Sequence, residues 1–123
     1  MIKGLRLASV WSEDLNNLLP FYRDVVGLTV SLEAPGFVVF GDQSEPNLAL
    51  GTHSDVHGQN SDPARHIVGL DSDDIDADYE RLKGKGVEFI EAPNSPGDGG
   101  LKIATFKDPE GNLVQLLQFS GPM

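Results

Sequence analysis

The apolar positions of this chain run through one order of elements twice. Residues 4–11, Gly4-Leu5-Arg6-Leu7-Ala8-Ser9-Val10-Trp11, read as a strand. Leu15, Leu18, Leu19, Tyr22, Val25 and Val26 then recur at about 3.6-residue spacing, and Gly27 is the residue type that often closes a helix. Three short strands fit 28–33, 36–41 and 47–53, parted by Pro/Gly turns. In the second pass a strand over 65–72 leads to a helix over 74–85, with Ile75, Tyr79 and Leu82 on one face and Gly86 at its end. Strands follow at 87–91, 101–106 and 112–119. Pro20 interrupts the first helical pattern, because it has no amide hydrogen to give to residue 16. Either the helix starts near Leu18–Leu19 with Pro20 in its first turn, which is the favoured reading, or it kinks.

The repeat is visible in letters too. Asp14-Leu15 and Asp74-Ile75 open the two helices, and Phe40-Gly41-Asp42 before Asn47-Leu48 echoes Phe106-Lys107-Asp108 before Asn112-Leu113. Each unit is β-α-β-β-β. A single curled four-stranded sheet with one helix leaves its concave face bare, and two such sheets side by side make a cup suited to a small ligand. The expected class is α+β: two β-α-β-β-β modules with curved, cup-shaped mixed sheets. Module 1 covers about 1–53, a linker about 54–64, and module 2 about 65–123, within one domain.

Composition narrows the function. The chain has 123 residues, 39% hydrophobic and 23% charged, which suits a globular protein with a core. No apolar run approaches the ~20 residues that span a bilayer. The opening Met1-Ile2-Lys3-Gly4-Leu5 lacks a signal-peptide apolar region, so a cytoplasmic location is expected. With no cysteine there are no disulfides, thiolate ligands or Cys nucleophiles. A net charge of −10 argues against nucleic acid and is compatible with a cationic small molecule, although its plainest role is solubility.

The stretch Phe106-Lys107-Asp108-Pro109-Glu110-Gly111-Asn112 followed by an alternating strand resembles the end of the glyoxalase / bleomycin-resistance / extradiol dioxygenase proteins, the vicinal oxygen chelate superfamily. Asp14-Leu15 with Phe21-Tyr22-Arg23-Asp24-Val25-Val26-Gly27-Leu28 resembles its opening module, and Asp73-Asp74-Ile75-Asp76-Ala77 with Gly86-Val87 the start of its second. The resemblance covers nearly the whole chain. It implies paired modules, a homodimer and, in the enzymes, a divalent metal held by inward residues on the first and last strand of each module. Carried over by motif spacing, those positions are Leu7, Leu50, Ile67 and Gln115. Three are aliphatic, and the fourth is an amide where family enzymes usually carry Glu. Aliphatic side chains cannot ligate, and an amide does not neutralise a cation. Slipping the register by one would bring in His66 alone, beside Arg6 and Ala49 or Gly51, so neither register assembles a metal set. No metal and no other cofactor are expected; a divalent ion is the alternative.

Without a metal, alternation names the lining of the cup. Leu7 brings Ser9 and Trp11 with it, Ile67 brings Gly69 and Asp71, and Gln115 brings Leu113, Leu117 and Phe119. Phe37 or Phe40, and Phe106, are further contributors whose faces the pattern leaves open. Such a lining suits a flat, mostly apolar ligand fixed by sparse hydrogen bonds. Trp11 could stack on it or pack at a rim.

The segment 51–63 holds His53 and His57, and His66 follows close behind. It reads as a loop, so the four-residue spacing of His53 and His57 carries no helical metal argument. The two are candidates for ligand contact or general acid/base work from a flap over the cup; a solvated linker with incidental histidines is the preferred reading. Asp71, Asp73, Asp74, Asp76 and Asp78 miss the spacing of a calcium loop and fit a helix start, with Ser72 as cap. Asn94-Ser95-Pro96-Gly97-Asp98-Gly99-Gly100 lies between strands and reads as a mobile loop at the mouth, not a phosphate cradle.

The sequence therefore leans away from an enzyme. It points to a metal-independent small-molecule-binding protein that sequesters an aromatic or cationic toxic compound or antibiotic, as bleomycin-resistance proteins do. The alternative is a metal-dependent lyase, isomerase or dioxygenase.

Overall fold

The computed structural model describes residues 1–42, 44–96 and 100–119. The chain divides into two compact units, Met1–Gln59 and Asn60–Met123. Each holds one four-stranded mixed sheet, and the two sheets follow the same order of strands.

In the first unit β1 (Leu7–Ser12) lies parallel to β4 (Asn47–Thr52). Strand β3 (Phe37–Phe40) runs antiparallel to β4, and β2 (Val30–Ala34) antiparallel to β3, giving the order β1-β4-β3-β2. The connection from β1 begins with a 3-10 turn at Leu15–Asn17, which Asp14 caps by accepting from the Asn16 amide. The helical segment proper, Phe21–Val26, starts behind Pro20, in keeping with the late start. It is wound as a π-helix: the Gly27 amide reaches back to the Tyr22 carbonyl at 3.1 Å. Gly27 closes it in the left-handed region, at φ 94°, where a side chain would be strained. Leu18, just ahead of this segment, and Tyr22 and Val26 on it are buried, as are Val38, Phe40, Leu48 and Leu50 of the sheet.

The second unit repeats the plan. Strand β5 (Val68–Asp71) is parallel to β8 (Leu113–Phe119), followed outward by β7 (Leu101–Lys107) and β6 (Phe89–Asn94). Helix α1 (Ile75–Gly84) begins at Asp74, whose carboxylate accepts from the Ala77 amide at 3.1 Å. Asp74, not Ser72, is thus the cap. The buried Ser72 hydroxyl donates to Asp78 at 2.6 Å and accepts from the Asp74 amide at 3.3 Å. The acidic run is occupied in building the helix start, and Asp76 also pairs with Lys102 at 2.8 Å. Gln118 accepts from the Ile75 amide, and Tyr79 packs edge-on to Phe89, which in turn meets Phe106. Ile75, Leu82, Ala104, Phe106, Val114 and Leu116 complete this core.

One outer strand of each sheet is irregular: the pairing shifts once in β2, between Val30 and Leu32, and twice in β6. The strands keep the expected order but are trimmed at their ends, and β6 runs on to Asn94. Residues 97–99 of the glycine-rich loop expected at 94–100 lie outside the described residues. Among the described residues, no helix is long and apolar enough to cross a membrane.

Phe106, 0% exposed, is a core residue. Phe106→Ala is expected to lower unfolding free energy by about 3–5 kcal/mol in urea melts, the cost of emptying an aromatic site in a packed core. A loss below about 1 kcal/mol would contradict its placement.

Candidate functional site

Register sorts the first sheet into two faces. Val10, Leu50 and Val38 are neighbours across three strands, and so are Trp11, Gly51 and Phe37, one position on. Adjacent positions point to opposite faces. The first set belongs to the buried core. The second, with Leu7, Ser9 and Ala49, belongs to the other face.

On that face the Trp11 indole lies over Gly51. A Cβ at residue 51 would stand 2.3 Å from the ring, so only glycine allows it to lie so close. Phe37 stacks beside it, with centroids 6.0 Å apart and planes 28° apart. His53 stands nearly perpendicular to the indole, 5.8 Å away at 81°. Trp11 remains 40% exposed. Two large rings and an imidazole thus form an open aromatic corner at one end of the sheet, and such surface favours a flat apolar partner.

Two expected residues of this face are elsewhere. Leu50 is 0% exposed and Phe40 1%; both are in the core. Asn47 pairs with Leu7, so β4 presents Asn47, Ala49 and Gly51 on the Leu7 face, and counting three residues on from the Asn lands on the wrong one. Phe40 is displaced by the same alternation from Val38.

In the second unit the face away from α1 carries Gly69, Gln115 and Thr105, neighbours across three strands. Leu117 follows at the alternate position and covers Gly69 closely. Phe119, 42% exposed, ends the row, and Ile67, 39% exposed, lies just ahead of β5. Phe106 is corrected to the α1 side, where it meets Phe89. Asp71 is exposed at the end of β5. The polar centre here is a chain: the Gln115 amide donates to the Thr105 hydroxyl at 3.4 Å, which donates to Glu91 at 3.2 Å. Glu91 was not singled out by sequence. It reaches Thr105 because β6 is bulged on both sides of it, and no spacing rule marks that.

The segment after β4 is tied to β1. His57 Nδ1 lies 3.2 Å from Glu13 Oε2, and the Gly58 amide donates to Glu13 Oε1 at 3.3 Å. His53 Nδ1 accepts from the Asp55 amide at 3.0 Å. Both imidazoles nevertheless remain exposed to solvent. His66 is exposed behind a 3-10 turn at Pro63–Arg65. The hydrogen bond to His57, then that from the Gly58 amide, holds the Glu13 carboxyl below its usual range.

A metal of the kind used by the resembling enzymes does not fit these residues. Leu7, Leu50 and Ile67 offer no donor atom, Leu50 is buried on the other face, and the Gln115 amide is turned to Thr105. Among the described residues, no group of three or more His, Asp or Glu side chains is arranged to hold a cation.

The model of the Glyoxalase/Bleomycin resistance protein/Dioxygenase superfamily matches residues 5–116. The YetH protein of Bacillus subtilis (strain 168) is 28% identical over 122 residues, spanning 94% of this chain and 98% of that one. A probable lactoylglutathione lyase of Synechocystis sp. (strain ATCC 27184 / PCC 6803 / Kazusa) is 25% identical over 118 residues, spanning 87% and 88%. Among solved structures, TnmS3, an antibiotic binding protein from Streptomyces sp. CB03234, matches with a TM-score of 0.75 and 28% identity, over 97% of this chain and 98% of that one.

Two outcomes follow. Gly51→Ala pushes the indole off the sheet, which is expected to shift Trp11 emission without unfolding the protein; unchanged emission would refute the close contact. Glu13 has a folded pKa below its unfolded one, so its tether contributes above the usual 4.5 and is lost as pH falls through the folded value. Protection of the Gly58 amide from exchange, followed by NMR, should drop across that acid range and lose the step in Glu13→Gln.

Proposed function

The chain belongs to the Glyoxalase/Bleomycin resistance protein/Dioxygenase superfamily, and on that premise we propose that it binds and sequesters a planar aromatic small molecule without a metal. The observation that carries this reading is the exposed Trp11–Phe37–His53 corner built on Gly51. Two further facts support it. The positions that would grip a cation hold Leu7, Ile67 and Gln115, with Ala49 in place of the buried Leu50 on β4, and a full-length structural relative is named as an antibiotic binding protein. Held this way, a toxic compound is withdrawn by mass action and no bond need be made or broken. An acidic protein, at −10, favours ligands with positive charge. The reading includes a cytoplasmic homodimer as the working form.

A metal-dependent lyase or dioxygenase is the second reading. Glu91 favours it by adding one carboxylate beside Gln115, as does the name of the Synechocystis relative. It still lacks the remaining ligands.

Trp11 is the chain's one tryptophan, so its fluorescence reports the corner directly. A panel of flat aromatic antibiotics should include compounds that quench it and raise the melting temperature, equally with and without EDTA. Trp11→Ala should weaken their binding at least roughly tenfold, about 1.4 kcal/mol. Stoichiometric Ni, Zn, Fe or Mn that survives dialysis, with stabilisation lost in EDTA, would replace this reading with the enzyme. Sedimentation of a monomer at micromolar concentration would remove the dimer.

A further inference from the structure

His53 combines two observations that the aromatic corner alone does not use. Its Nδ1 lies 3.0 Å from the backbone nitrogen of Asp55. A backbone amide can only donate, so Nδ1 must accept and carries no proton. The Asp55 carboxylate is farther off, at 4.0 Å, beyond a direct hydrogen bond, and so does not compete for that nitrogen. Farther along the loop, His57 is paired with Glu13. The ring proton therefore sits on Nε2. Among the described residues, Nε2 has no hydrogen-bond partner, and the side chain is 49% exposed.

The second observation is placement. The imidazole stands at 81° to the indole, with centroids 5.8 Å apart. A planar group resting on Trp11 brings its rim to a side chain that presents one N–H donor and no acceptor. We infer that His53 is the specificity-determining residue of the corner, selecting planar aromatic ligands that carry a carbonyl oxygen on the rim facing Nε2. The loop sets this preference: the Asp55 amide fixes which nitrogen is the donor, and a polar-free rim leaves that donor without its water or a replacement. This inference rests on the aromatic corner being the ligand site.

The test uses two water-soluble cationic compounds of one shape, 2-(trimethylammoniomethyl)fluorenone and 2-(trimethylammoniomethyl)fluorene, which differ by a rim carbonyl. Binding is read by Trp11 quenching and by calorimetry, on the wild type and on His53→Phe, which keeps a flat ring and removes the N–H. In parallel, long-range 15N–1H NMR of the free wild-type protein at neutral pH reads which His53 nitrogen is protonated. The expected result is a proton on Nε2 and a roughly fivefold preference for the fluorenone, the worth of one neutral hydrogen bond. His53→Phe should abolish that preference, so that fluorenone and fluorene bind equally, whatever the change in their shared affinity. A proton on Nδ1, or a preference that survives in His53→Phe, overturns the His53 assignment while leaving Trp11 binding intact. Failure of both compounds to quench Trp11 or release heat overturns the assignment together with the ligand-site reading beneath it.

Discussion

The parallel pairing of β1 with β4 sets Trp11 beside Gly51, and this one register governs what the first unit can offer a ligand. A shift of one residue would turn Ala8, Val10 and Ser12 outward and send the indole into the core, where Tyr22, Phe40 and Leu50 already fill the space. The register is held from both sides. Leu50 and Val38 anchor one face by burial, and the bare glycine admits the ring on the other. Packing thus specifies the site through residues that never reach it.

The two units share a topology but not a surface. The first shows rings laid on small residues; the second shows a hydrogen-bonded line from Gln115 through Thr105 to Glu91. A duplicated plan can diverge in this way because the buried face carries the stability and the other is free to vary. On the corresponding inner strands β4 and β8, Ala49 lies beside Ser9 and Gln115 beside Gly69, one apolar and one an amide.

Much of this was legible in the letters. Strand order, the late first helix behind Pro20, and the shared face of Leu7, Ser9 and Trp11 follow from spacing, alternation and proline's missing amide. What failed did so for one reason: a strand pattern fixes parity within a strand but not which parity faces its neighbour. Counting from a motif puts Leu50 on the uncovered side and leaves the faces of Phe40 and Phe106 open; pairing with β1, β2 and β8 respectively sets each in a core. Glu91 could not be found by counting at all, since a bulge inserts a residue wherever the chain bends. His53 Nδ1 is held by an amide two residues away, a contact that no spacing in the sequence announces.

The irregular pairing of β2 and β6 has a consequence for life at high concentration. A straight outer strand displays a ladder of unmet donors and acceptors to which any stray chain can zip, and kinked borders spoil that template. The regular borders are left to β1 and β5, so backbone-mediated self-association, where it occurs, is channelled to those two strands and away from the bent ones.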